Sequence, residues 1–206
     1  MKALLVVDIQ NDFCPGGALA VPDGDSIIPT VNKLINRFDV IVQTQDWHPA
    51  GHSSFASSYD DKEPFETTEL DYGTQVLWPD HCVQGSKGAE FHPDLNTLKS
   101  QVIIRKGFRK SIDSYSTFFE NDQKTSTGLT GYLKERGVTD LYTVGLATDF
   151  CVKWSILDGI DEGFSMHIVE DAVKGIDLDG SLEDAWKEMK EKGVHIVHAA
   201  EILSQN

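Results

Sequence analysis

Cysteine is scarce in this 206-residue chain, which has only Cys14, Cys82 and Cys151. An odd and widely spaced set argues against a disulfide framework and reads as free thiols in a reducing compartment, the cytoplasm. Basic residues are also few, 18 Lys and Arg against 33 Asp and Glu, for a net charge of −15. Such a chain repels nucleic-acid phosphates and anionic lipid, so neither is an expected partner. No hydrophobic run is long enough to span a bilayer. The N-terminal "MKALLVVDIQNDF" holds an apolar stretch too short for a signal peptide, interrupted by Asp8. Repeats and low-complexity tracts are missing as well. What is left, 40% hydrophobic and 25% charged, is an ordinary globular composition. With no break in composition, the chain reads as a single domain over residues 1–206.

Strand-like and helix-like segments alternate. "ALLVVD" is a short apolar run rich in β-branched residues, suited to a strand buried on both faces. "DSIIPTVNKLINRF" has helical spacing, with Asp25 or Ser26 placed to cap it. "VIVQTQ" and "QVIIRK" read as the second and third strands, followed by helical "GLTGYLKERG" closing on Gly137. Then come strand "DLYTVGL", helix "DFCVKWSILDGIDEG", strand "SMHIVED", helix "SLEDAWKEMKEKG", strand "VHIV" and a last helical piece, "AAEILSQ". This order predicts an α/β fold: a six-stranded parallel sheet with helices on both faces, a three-layer Rossmann-like arrangement with right-handed crossovers. Two long connections, 46–100 and 107–124, interrupt it, and loops of that length in a compact domain are usually functional. The first holds four of the seven histidines, His48, His52, His81 and His92. His167, His195 and His198 fall in or beside late strands and read as structural.

Ligands of open parallel sheets bind beyond the carboxyl ends of the strands, where the strand order reverses. The first strand ends in Asp8, the second runs into Asp46, the third into Lys106, and the fourth leads to Cys151. Singly, each has an ordinary explanation, since a strand-end Asp is usually a cap and a Cys usually a small core residue. Together they suit acyl transfer. Cys151 would be the nucleophile, its thiolate favoured by the first turn of a helix and by the Lys106 ammonium. Asp8 would take the thiol proton and return it to a leaving amine, and backbone N–H groups at the turn would hold an oxyanion. An amide is the natural substrate.

A second constellation lies in "TQDWHPAGHSSF" and "WPDHCVQG". Asp46, His48 and His81 form a carboxylate and imidazole set suited to one divalent metal, zinc first, with iron and manganese as alternatives. His52 is either a fourth ligand or a brace of the loop. Phe13, Trp78 and Tyr115 are placed to line a flat pocket, or else to pack as ordinary core.

The stretches "LLVVDIQNDFCPGGALAV", "TQDWHPAGHSSFA", "WPDHCVQGSKGAEFHPDL", "IRKGFRKSIDSYSTF" and "VGLATDFCV", in this order over most of the chain, resemble the nicotinamidases (pyrazinamidases) of the isochorismatase-like cysteine hydrolase family. The resemblance implies a catalytic triad of Asp8, Lys106 and Cys151, and one metal on Asp46, His48 and His81 that anchors the pyridine nitrogen of the substrate. It implies a ring sandwiched by Phe13 and Trp78, and an oxyanion hole from the N–H groups of Ala147 and Cys151 after a cis Leu146–Ala147 peptide. It also implies that Asp149 orders the site, while Phe150 departs from the His or Tyr frequent there. The reaction so implied is nicotinamide and water to nicotinate and ammonia, a step of NAD salvage. Hydrolysis of another small amide or carbamoyl compound is the nearest alternative. More distant ones are attack by a metal-bound water with Cys151 merely structural, and a non-enzymatic binding module. Oligomeric state is open, a homo-oligomer included.

Overall fold

Strand β1 (Lys2–Val7) lies in the middle of the sheet in the computed structural model, which describes residues 1–205. On one side it pairs with β2 (Val40–Asp46), which pairs with the edge strand β5 (Val102–Lys106). On the other side it pairs with β6 (Asp140–Leu146), followed by β7 (Ser165–Lys174) and β8 (His195–Val197). All five pairings are parallel, in the order β5-β2-β1-β6-β7-β8. The order reverses between β1 and β6, and the ligand crevice of such a sheet opens there.

The alternation along β1 explains why its run is uniformly apolar. Leu4 and Val6 pack with Val31, Leu34 and Ile35 of α1 (Ile28–Ile35) and with Ala199 of α5 (Ala199–Leu203). Ala3, Leu5 and Val7 face the other way, onto Leu129 and Leu133 of α2 (Leu129–Glu135), Ile156 of α3 (Lys153–Asp161) and Met189 of α4 (Ser181–Glu191). Both faces are covered, as the sequence pattern predicts, and no helix is long and apolar enough to cross a membrane among the described residues.

Three local expectations are corrected. The helix expected from residue 25 is a 3₁₀ turn, Gly24–Ile27, that continues into α1; its cap is Asp23 in the left-handed region, and Ser26 Oγ donates back to the Asp23 carbonyl instead of capping. The connection 46–100 contains a separate antiparallel hairpin, β3 (Thr67–Leu70) and β4 (Gly73–Val76). The helix expected from residue 149 opens with a wide π turn, Thr148–Val152, before α3 begins.

Candidate active site

Register brings the strand-end residues together. Asp46 closes β2 directly opposite Lys106, which closes β5. Asp8 follows β1 with φ +47, a conformation uncommon for a residue with a side chain and frequent at functional sites. Its backbone N–H donates to Thr44 Oγ1 at 3.1 Å, and the Thr44 hydroxyl donates to Asp8 Oδ1 at 2.6 Å. The other carboxylate oxygen, Oδ2, faces Lys106 Nζ at 2.8 Å as an ion pair without an aligned hydrogen bond. Lys106 is wholly buried and its ammonium also donates to the Ser114 carbonyl at 2.9 Å, to Asp46 Oδ1 at 3.1 Å and to Cys151 Sγ at 3.3 Å. Asp8, Lys106 and Cys151 thus meet at the point where the strand order reverses.

The electrostatics correct one expectation. Burial pushes the Cys151 thiol well above its ordinary range; Lys106 opposes the rise, while Asp8 and Asp46 add to it. The resting group is therefore a thiol, whose proton Asp8 is expected to take, and the lowering expected from the helix start and the Lys106 ammonium does not prevail. Desolvation outweighs the ammonium, because the charge would be formed beside two carboxylates in a dry site. Burial likewise raises the Asp8 carboxyl, against the pull of Lys106, which makes it a stronger base than an exposed carboxylate. Burial alone would lower the Lys106 pKa, but Asp46 and Asp8 raise it well above its usual value, so it stays an ammonium.

The second constellation adjoins the first through Asp46. Its Oδ2 lies 3.3 Å from His81 Nε2 and 3.7 Å from His48 Nδ1. These residues offer three ligand atoms within 4.8 Å of one another. Each imidazole has its remaining nitrogen fixed by a partner. His81 Nδ1 donates to the Pro79 carbonyl at 2.8 Å, and His48 Nε2 donates to Asp113 Oδ1 at 2.9 Å. His48 Nδ1 is left buried without a partner. A carboxylate behind a ligating histidine, setting its tautomer, is the usual support of a metal site. The residues therefore fit a divalent cation, with Asp46 Oδ2, His48 Nδ1 and His81 Nε2 as its protein ligands. Asp46 is held well below the usual carboxylate range: burial would raise it, but His48, Lys106 and His81 outweigh burial. Gly107 makes room for this geometry, since with φ +66 a Cβ there would sit 2.8 Å from His48 Nε2.

His52, expected as either ligand or brace, is buried and braces the loop. Its Nδ1 bonds Ser54 Oγ at 2.7 Å, and its Nε2 lies 2.8 and 3.2 Å from the carbonyls of Arg109 and Ile112. Both ring nitrogens thus have protein partners.

Phe13, Trp78 and Tyr115 line a narrow pocket together with Phe150, Leu19 and Ile176. Cys151, Ala147, Asp46, His81 and Asp113 complete its lining. Phe150 stands edge-on to Trp78, with ring centroids 4.8 Å apart. The Leu146–Ala147 peptide is cis, and the Ala147 carbonyl accepts from the N–H groups of Phe150 and Val152, which shapes the turn carrying Cys151. Asp149 points away from the cavity and accepts from the N–H groups of Ile176 and Asp177 and from the Ser181 hydroxyl, tying the turn to the segment before α4.

Sequence reasoning missed Thr44, Gln10 and Asp113. Gln10 clamps Asp46 by donating to its carbonyl and accepting from its N–H, at 2.9 and 2.8 Å. A buried Gln two residues past Asp8 is a signal that was there to be read; Asp113 sits in an irregular loop whose course no local pattern gives.

The chain belongs to the isochorismatase domain family, whose pattern matches residues 2–201. It is 56% identical over 201 residues to a nicotinamidase of Acinetobacter baylyi, covering 98% of this chain and 94% of that protein. Its fold is similar to that of an Acinetobacter baumanii nicotinamidase and pyrazinamidase, with a TM-score of 0.96 and 59% identity over 98% of this chain and 97% of the other. It is also similar to a pyrazinamidase of Pyrococcus horikoshii solved in complex with zinc, with a TM-score of 0.78 and 40% identity over 96% and 98% of the two chains.

Proposed function

We propose that this chain is a nicotinamidase: it hydrolyses nicotinamide to nicotinate and ammonia through a thioester on Cys151, and accepts pyrazinamide in the same pocket. The observation that carries the reading is the contact of Cys151 Sγ with Lys106 Nζ, itself 2.8 Å from Asp8, at an apolar pocket that opens onto Asp46 and His81. Identity of 56% to a nicotinamidase supports the choice of amide. Three buried free thiols suit a cytoplasmic enzyme of NAD salvage.

In this mechanism the pocket holds the ring between Phe13 and Trp78 and brings the carboxamide carbon to Cys151. As Sγ attacks, its proton passes to Asp8, so charge is transferred and not created in the dry site. The carbonyl oxygen becomes an oxyanion bound by the N–H groups of Ala147 and Cys151. Collapse breaks the C–N bond, and Asp8 delivers its proton to the departing nitrogen as ammonia. Water then adds to the thioester, giving a proton to Asp8, and the C–S bond breaks as that proton returns to sulfur. Lys106 keeps Asp8 ionised between these transfers and moves no proton of its own. A divalent metal on Asp46, His48 and His81, zinc being the best match to the donor set, would supply an anchor for the pyridine nitrogen.

The test is ammonia release from nicotinamide by the purified protein and its Cys151→Ala variant. Turnover should vanish in the variant while nicotinamide still binds, since the pocket walls and Asp46 remain. Amide hydrolysis that survives the substitution would replace the thioester by direct attack of water.

A further inference from the structure

Gln75 lies on β4, in the hairpin outside the main sheet, yet its side chain is 1% exposed and sits behind both halves of the site. Its Nε2 is 3.0 Å from Asp113 Oδ2, 2.9 Å from the Tyr115 hydroxyl and 2.7 Å from the Val76 carbonyl. Its Oε1 accepts from the Tyr72 hydroxyl at 3.0 Å and from Asn121 Nδ2 at 3.2 Å. Two of these partners lead into the site. Asp113, through its other oxygen, orients His48. Tyr115 receives the Trp78 indole N–H at 3.1 Å on the same hydroxyl. One amide, its two N–H hydrogens shared among three acceptors, therefore lies within hydrogen-bond distance of both the carboxylate behind the metal-site histidine and the hydroxyl that fixes two aromatic walls of the pocket.

We infer that Gln75 is a positioning residue that locks the metal-binding imidazole and the ring-binding wall into one rigid unit. The inference rests on the nicotinamidase reading for its substrate but not for its metal. Nothing else among the described residues joins Asp113 to Tyr115 by a single side chain. The energetic reason is that Asp113 is buried with a carboxylate oxygen that must be satisfied. Without the Gln75 donor, that oxygen competes for another partner and the Asp113 carboxylate rotates, taking His48 with it. Trp78 and Tyr115 lose the shared hydroxyl geometry in the same event. Neither Cys151 nor Lys106 touches Gln75, so the nucleophile is reached only indirectly, through Ser114, which bonds both Asp113 and Lys106.

The experiment compares wild type with Gln75→Met, which keeps length and volume but removes both polar ends, and Gln75→Glu, which keeps the acceptor for Tyr72 and Asn121 and loses the donor. Zinc release to a chelating dye, KM and kcat for nicotinamide, and the melting temperature are measured on each. Zinc should be lost several-fold faster in both variants, up to about the tenfold that losing a direct partner of a metal ligand costs at its low end, since Gln75 acts one bond further out. KM should rise several-fold, with kcat changed less than about threefold, the pattern of lost positioning without lost chemistry. If Gln75→Met fails to fold, Gln75→Glu carries the same comparison. Zinc release within twofold of wild type in a folded variant overturns the inference, as does a loss of activity that follows only the folded fraction. An inactive wild type that still holds zinc would sink the nicotinamide reading while leaving the zinc comparison valid.

Discussion

Asp46 and Lys106 are register partners at the ends of β2 and β5, and the Asp46 carboxylate is divided between two centres. Oδ1 lies 3.1 Å from the Lys106 ammonium, and Oδ2 lies 3.3 Å from His81 Nε2. Asp8, Lys106 and Cys151 are therefore joined to the candidate metal-binding residues by one side chain. Asp46→Asn should lose zinc and leave Lys106 with a single full carboxylate partner, Asp8. The expected result is a loss of at least about tenfold in zinc affinity, the scale seen even for outer partners. A drop in kcat should accompany it, and supplying excess zinc should not restore it. Full recovery of kcat with excess zinc would mean that Asp46 serves the metal alone.

The Cys151 thiol makes a second prediction, with a definite sign. Burial raises its pKa well above 9, so little thiolate exists at neutral pH in the metal-free protein. Alkylation of Cys151 by iodoacetamide, followed by peptide mass spectrometry, should be slow at pH 7. It should climb about tenfold per pH unit through pH 9 without levelling, as expected when only the thiolate reacts. A plateau near pH 6 or 7 would restore the preformed thiolate and remove the need for Asp8 as base.

Gly107 offers a structural test of the metal cradle. With φ +66, an added methyl is strained, and its Cβ would stand 2.8 Å from His48 Nε2 and 3.2 Å from Asp46 Oδ1. Gly107→Ala should cost about 1 kcal/mol in stability from the left-handed backbone alone. It should also displace His48 and halve zinc occupancy or worse. Zinc content and thermal melting read the two effects separately; unchanged zinc would show that His48 gives way freely.

Away from the site, His167 is stacked between Tyr142 at 4.3 Å and His195 at 4.8 Å, with Asp140 3.4 Å from its Nε2. Burial lowers its pKa below 6.5; Asp140 opposes this, and His195 and Lys2 add to the lowering. Its Nδ1 is buried without a partner, so a proton there finds no acceptor. A histidine depressed in the folded protein contributes stability that is present above pH 6.5 and lost as pH falls through the folded value. His167→Phe keeps the stack and removes the titration. Its melting temperature should fall less than that of wild type between pH 7.5 and pH 5. Equal falls would show that His167 titrates as it does in the unfolded chain.

The sheet was legible because its central strands are short apolar runs, with Asp8 just after β1, Asp46 ending β2 and Lys106 ending β5. Asp8, Asp46 and Lys106 needed only correct strand ends to meet on one edge, and Cys151 followed from the strand-to-helix join. The hairpin was not legible: "TTEL" and "GTQV" carry no apolar face, because β3 and β4 lie outside the core and Gln75 turns inward to bind polar groups. Asp113 was hidden for a related reason. It lies in a loop held by bonds to Tyr72, Gln75 and His48, which are 41, 38 and 65 residues distant. The Cys151 pKa runs opposite to the expected lowering because the helix start and the ammonium are visible in sequence, whereas the desolvation that raises it depends on burial.

The role of the metal is the last prediction. His81, Asp46 and Asp113 line the same pocket and offer a ring nitrogen acceptors only, among walls that are otherwise mostly apolar. A bare ring nitrogen in such a pocket would be buried without a partner, at a cost of roughly 1 to 3 kcal/mol. A cation on Asp46, His48 and His81 removes that cost for nicotinamide and pyrazinamide but does nothing for benzamide, which lacks the nitrogen. Benzamide should therefore be a poor substrate of the zinc-loaded enzyme. Removing zinc, or substituting His48→Ala, should raise KM for nicotinamide far more than for benzamide and bring the two amides close together. Because the cation would position the ring and not the sulfur, Cys151 alkylation at a fixed pH should change much less than nicotinamide affinity. Equal KM values for the two amides in the zinc-loaded enzyme would refute anchoring through the ring nitrogen. If zinc removal abolished alkylation with the fold intact, the metal would instead be tuning the nucleophile through Asp46 and Lys106.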